Sequence, residues 1–270
     1  MSRARRKIAL LHEPRLPARS ESSACALHDR FAMPPRPNLS ATATTQRAQA
    51  DLGEILGRPR SLAEAPGLEL ANTLTHLFGL LLAIGGGVAL LGDPVVSGNP
   101  AKYIACSIYV VSLVSLYAAS CSYHATLEPT RKAAMRVFDQ VCIYLLIGGT
   151  ATPLFLLLLP SPLAARLMAV VWTIGVCGIF LRLRYPARFD SLSVVLYLAM
   201  GWIGASALDS FIPTAPALAQ NLVVAGGITY TAGLIFYLGE SVFRWGHVVW
   251  HLFVIAGSAM HFGAVWLAVQ

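Results

Sequence analysis

Charged side chains are scarce: Asp, Glu, Lys and Arg make up only 12% of the 270 residues, about half the share of a soluble globular domain. With 56% of the chain apolar, that deficit excludes a water-soluble fold. Cysteine is sparse too. Cys25, Cys106, Cys121, Cys142 and Cys177 form no CxxC pair, which argues against a disulfide framework or a thiolate metal cluster. Four of them fall in or beside apolar stretches and read as reduced packing residues. Positive charge is lacking where a nucleic-acid surface would need it. The net +7 is concentrated in residues 1–66, with eleven Lys/Arg against six Asp/Glu, while residues 67–270 carry nine against seven. Without a structured basic face, nucleic acid is excluded as a partner.

What the chain has instead is apolar length. A bilayer core of ~30 Å needs roughly 20 apolar residues per helix, and seven such stretches follow residue 66: 69–91, 103–124, 136–158, 163–181, 191–210, 221–239 and 246–269. Gly92, Pro94, Gly98, Pro100, Pro129, Pro160, Pro162, Pro186 and Pro213 punctuate the links, as residues that end or interrupt helices. The expectation is an all-α polytopic membrane protein, one bundle of seven transmembrane helices over residues 67–270 whose partners are membrane lipids. Residues 1–66, rich in Arg, Ala, Ser, Thr and Pro, are expected to form a disordered basic tail. Residues 8–11 are too short for the apolar region of a secretory signal, although the Arg-rich beginning mimics a transit peptide. Basic residues set the orientation. An N-terminus in the cytoplasm and a C-terminus outside puts the tail, Arg131, Lys132, Arg136, Arg182, Arg184, Arg188 and Arg244 inside and leaves only Lys102 and Arg166 outside, as the positive-inside rule requires.

Five of the seven histidines lie within the apolar region, where ionisable groups cost on the order of 3 kcal/mol and are normally retained for pairing, ion handling or chemistry. His247 and His251, at i and i+4, share one helix face at the mouth of the last span. His124 ends the second span at matching depth. Three imidazoles with an open fourth position make a catalytic zinc site, so His124, His247 and His251 are the expected Zn2+ ligands. Asp139, read as one turn inside span three, orients a ligand or acts as general base; its bland reading is a helix N-terminal charge. Ser120, one turn before His124, is placed to bind an oxyanion or the zinc water, or is simply a small residue at a helix contact. Cys121 is a competing ligand. Glu69, Asn72 and His76 share a face of span one; Glu69 joins the site or ends the helix in solvent, while His76 and His261 are expected to hydrogen-bond across the bundle.

The run Glu69-Leu-Ala-Asn72-Thr-Leu-Thr-His76, the run Ser120-Cys-Ser-Tyr-His124 with Asp139 beyond it, the run Leu146-Ile-Gly-Gly-Thr150-Ala-Thr-Pro153, and His247-Val-Val-Trp-His251 followed by Ala256-Gly-Ser-Ala-Met-His261 together resemble the hemolysin III family, which belongs with the progestin and adipoQ receptors. The resemblance covers residues 67–270. It implies a seven-helix bundle in a bacterial plasma (inner) membrane, with a cytoplasmic-side zinc held by His124, His247 and His251. The receptors and the related alkaline ceramidases imply metal-dependent hydrolysis of a lipid amide or ester; the family name implies instead a pore-forming hemolysin, or a membrane-state sensor in which zinc is structural.

Overall fold

The computed structural model describes residues 66–186, 188–210, 216–240 and 242–270. The expected N-terminal tail, with Cys25, lies outside the described residues. Among those described, the secondary structure is helical throughout: α1 (Pro66–Gly92), α2 (Pro100–Ala125), α3 (Pro129–Leu158), α4 (Ser161–Arg184), α5 (Asp190–Ile203), α6 (Ala217–Leu238) and α7 (Gly246–Val269), with one four-residue turn of helix, Pro94–Ser97, between α1 and α2.

Six of the seven are long and apolar enough to cross a bilayer. The fifth differs from expectation. Its α-helical part has 14 residues and rises only ~21 Å, and the stretch Gly204–Ser210 continues as 3-10 helix, adding up to ~14 Å of chain. The span expected over 191–210 is therefore a short α-helix followed by a tighter coil. The seventh keeps the expected bounds, 246–269.

Local chemistry sets the helix starts. Asn99 accepts from the amides of Ala101 and Lys102 at 3.0 and 3.1 Å, ahead of Pro100 in the first helical turn; this satisfies donors that have no intrahelical partner. Glu128 does the same for α3, accepting from Arg131 at 2.7 Å and Thr130 at 2.9 Å. Those amides hold its exposed carboxyl below the usual carboxylate range. Because that cap and Pro129 start α3 at residue 129, Asp139 sits nearly three turns inside the helix, not one. A helix-terminal charge acts only within the first turn, so the N-terminal reading of Asp139 fails.

α3 is the central post, with 72% of its apolar window buried against 11% for α6. It serves both apolar clusters. Leu146, Leu154 and Leu158 pack with Tyr109, Leu113, Leu116 and Val265, while Tyr144, Ala151 and Phe155 pack with Val171 and Met200. Exposed Leu70, Phe78, Leu81, Ile104, Val111, Phe180 and Ile235 are what a lipid-facing surface requires, since apolar side chains lose nothing against acyl chains. At the end remote from the histidines, Lys102 Nζ donates to the Val269 carbonyl at 2.5 Å, closing the C-terminus of α7 onto α2. Cys106, Cys121, Cys142 and Cys177 are free thiols, in line with the sequence.

Close approach of α2 and α3 depends on Gly149, where a Cβ would collide with the Ser112 side chain and come within 3.2 Å of the Ile108 carbonyl. Gly149→Val should therefore lower stability by about 1–3 kcal/mol, the usual cost of overpacking; thermal unfolding in detergent measures it.

Candidate metal centre

Two helices converge at the end of the bundle that carries Arg136, Arg182 and Arg244. The last turn of α2 delivers His124, and the first two turns of α7 deliver His247 and His251. Their ring centroids are 5.1, 5.0 and 4.7 Å apart, and the rings stand at 64–71° to one another. One ring nitrogen from each lies within 4.8 Å of the others. The structure thus brings together the three histidines singled out in the sequence, and three such imidazoles can bind a metal.

Hydrogen bonding tests that fit. His124 Nδ1 meets Glu69 Oε2 at 2.8 Å, and His247 Nδ1 meets Glu240 Oε2 at 3.0 Å. His251 Nδ1 meets Thr75 Oγ1 at 3.2 Å; that hydroxyl already donates to the carbonyls of Ala71 and Asn72 at 2.9 Å, so towards histidine its oxygen accepts. An acceptor at every Nδ1 assigns the proton to Nδ1 and leaves the Nε2 lone pair free. His124 Nε2 is buried without a protein partner. Metal-binding histidines are typically oriented by such acceptors, so the residues present fit a metal that imidazole nitrogens would hold.

Asp139 and Ser120 border this centre. Ser120 is buried, and its hydroxyl faces the Asp139 carboxyl yet falls outside hydrogen-bond geometry with it, leaving Oγ unpartnered. Both line a cavity of about 510 Å3, together with the three histidines. Its rim carries Arg136, Arg182, Asp190, Glu240 and Arg244, and its inner wall carries Leu154, Phe155, Leu158, Met200 and Trp202. The cavity therefore passes from charged to apolar.

The other candidates separate. Cys121 points its thiol at the Thr73 carbonyl, 3.7 Å away, and lies outside the three-histidine group. His76 stacks on His251 at 3.5 Å and meets Tyr117 edge-on at 5.1 Å; both its nitrogens lack a partner, so it joins helices by ring packing and not by the expected hydrogen bond. His261 does bond across the bundle, from Nε2 to the Val223 carbonyl at 3.1 Å. Glu69 turns inward onto His124, which settles its two readings in favour of the site.

Sequence reasoning missed Glu240, Thr75 and Lys132. An acid at the end of an apolar span, seven residues before His247, was the available signal for Glu240. Lys132 sits among loop cations, and only packing distinguishes it. The ion pairs of Asp190 with Arg182, at 2.5 Å, and with Arg136, at 3.3 Å, were equally hidden.

Fold and site together define a polytopic helical membrane protein with a three-histidine cluster at one end of its bundle. Residues 67–262 match the family model described as haemolysin-III related, and the chain belongs to that family. It is 36% identical to Hemolysin-3 of Bacillus cereus, over 73% of this chain and 90% of that protein. It is 34% identical to the Hemolysin-3 homolog of Bacillus subtilis (strain 168), over 73% and 92%. With the human monocyte to macrophage differentiation factor it shares 27% identity over 73% and 82%.

Below the histidines, Ser258 Oγ joins Tyr117 Oη at 3.0 Å and Tyr230 Oη at 2.7 Å, tying α2, α6 and α7. Ser258→Ala should cost about 1–2 kcal/mol by leaving the buried Tyr117 phenol and the partly buried Tyr230 phenol without that partner, while Tyr230→Phe should cost less. Denaturant unfolding in detergent compares the two.

Proposed function

We propose that this chain is a zinc-dependent membrane hydrolase of lipid amides or esters, with His124, His247 and His251 as the ligands and Asp139 and Ser120 as catalytic residues. The observation that carries the reading is the convergence of three imidazoles, each with an acceptor at Nδ1, on the wall of a cavity that runs from a charged rim to an apolar interior. Such a cavity suits a lipid whose acyl chain lies along Leu154, Phe155 and Leu158 while its polar linkage stays beside the histidines.

Zinc held by these three residues would supply Lewis acidity, polarising a carbonyl and lowering the pKa of a water beside it. The residues do the rest. A carboxylate oxygen of Asp139 takes a proton from the attacking water and returns it to the departing amine or alkoxide, so that acid and amine, or acid and alcohol, are released. The Ser120 hydroxyl donates to the developing oxyanion. The buried walls exclude bulk water. By the positive-inside rule, the rim faces the cytoplasm, which sets the N-terminus inside and the C-terminus outside. The Bacillus relatives support a bacterial plasma membrane as the location.

The name borne by those relatives favours a second reading, a lytic pore or membrane-state sensor with structural zinc. A conducting path needs polar lining through the full depth, and Leu154, Phe155, Leu158 and Met200 oppose that.

Purified zinc-loaded protein offered a panel of lipid amides and phospholipid esters should release fatty acid from at least one class. Asp139→Asn should retain the metal and lose about 10²–10⁴-fold in turnover. Retained zinc with no release from any class, together with liposome leakage that survives His124→Ala, would replace the hydrolase by the pore.

A further inference from the structure

Lys132 is the most completely enclosed cation among the described residues, with none of its side chain exposed, although it begins only three residues into α3. Its ammonium donates to the carbonyls of Tyr123 at 3.2 Å and Thr126 at 3.3 Å, where α2 ends. It also lies 3.4 Å from Glu69 Oε2 and 4.8 Å from the centre of the Tyr123 ring. The same Oε2 is the atom that meets His124 Nδ1 at 2.8 Å.

We propose that Lys132 and Glu69 are a positioning pair for His124, a role that rests on the zinc reading above. Hydrogen-bond bookkeeping carries it. An ammonium has three donors and no acceptor, and Lys132 directs them to two carbonyls of the α2 terminus and to Glu69. Beside that ammonium, Glu69 Oε2 accepts, so His124 Nδ1 must donate. The proton is thereby fixed on Nδ1, and the lone pair of Nε2 is turned towards His247 and His251. The clamp also holds the chain itself. Tyr123 and Thr126 flank His124 in sequence, so the cation that orients the carboxylate fixes the backbone on either side of the histidine. Three helices thus meet at one ligand: α1 through Glu69, α2 through His124 and α3 through Lys132. The other two histidines have simpler supports, a hydroxyl for His251 and a partly exposed carboxylate for His247.

Removing one partner alone leaves a buried charge and risks misfolding, whereas removing both is tolerated far better. The test is the double variant Glu69→Met, Lys132→Met, beside the near-isosteric Glu69→Gln. Two readouts apply: zinc affinity against a competing chelator, and histidine 15N NMR of the metal-free protein. The expected result is a folded double variant whose zinc affinity falls about 10–100-fold, the range for lost supports of metal-bound histidine, with a smaller fall for Glu69→Gln. In metal-free wild type His124 should report the Nδ1–H form, and the double variant should report a tautomer mixture. Wild-type affinity and an unchanged His124 signal in the folded double variant would overturn the pair's role. Wild-type protein that takes up no zinc yet shows the variant-dependent tautomer would sink the zinc reading alone and uphold the positioning pair.

Discussion

Everything at the charged end of this bundle depends on where one proton sits on each of three imidazoles. A neutral histidine has one donor and one acceptor, and burial decides which nitrogen keeps which role. Here the acceptors Glu69, Thr75 and Glu240 stand at Nδ1 of His124, His251 and His247. The nitrogens left over then face one another. Lone pairs held close together repel in the absence of a cation, and three such imidazoles could bind a metal.

The surrounding charges obey the economics of a low-dielectric interior. An unpaired ion within a bilayer costs several kcal/mol, and the buried ions of this bundle are compensated. Glu69 faces Lys132 and His124, and Arg182 meets Asp190 and the Pro186 carbonyl. These pairs also tie helices: α1 to α2 and α3 in the first case, and α4 to the start of α5 in the second. The same contacts that neutralise charge therefore set the walls of the cavity. In the middle of the bundle helices are joined by neutral hydroxyls and rings, such as Ser258 with its two tyrosines, at little desolvation cost.

Much of this was legible in the sequence because the signals were local. Apolar length gave the spans, and the i, i+4 spacing of His247 and His251 gave a shared face that survives any tertiary arrangement. His124 was reachable through matching depth. What stayed hidden was set by packing. Lys132 and Arg131 are adjacent cations in one loop, and nothing in their order says that Lys132 turns inward while Arg131 is exposed. Asp139 was placed one turn deep because the apolar run starts at residue 136, whereas the cap at Glu128 and Pro129 starts the helix two turns earlier. The fifth span looked uniform over 191–210, but its coil tightens after Ile203, where Gly204 begins the 3-10 stretch. His76 read as a hydrogen-bonding histidine, and only the positions of His251 and Tyr117 show that its ring is held by one stacked and one edge-on contact.

The central claim, that these three histidines hold a metal, is tested most directly by elemental analysis of the detergent-purified protein beside the double variant His247→Ala, His251→Ala. The account predicts about one zinc per chain in the wild type and none in a variant that remains folded. Zinc absent from both, or retained by the variant, would contradict it.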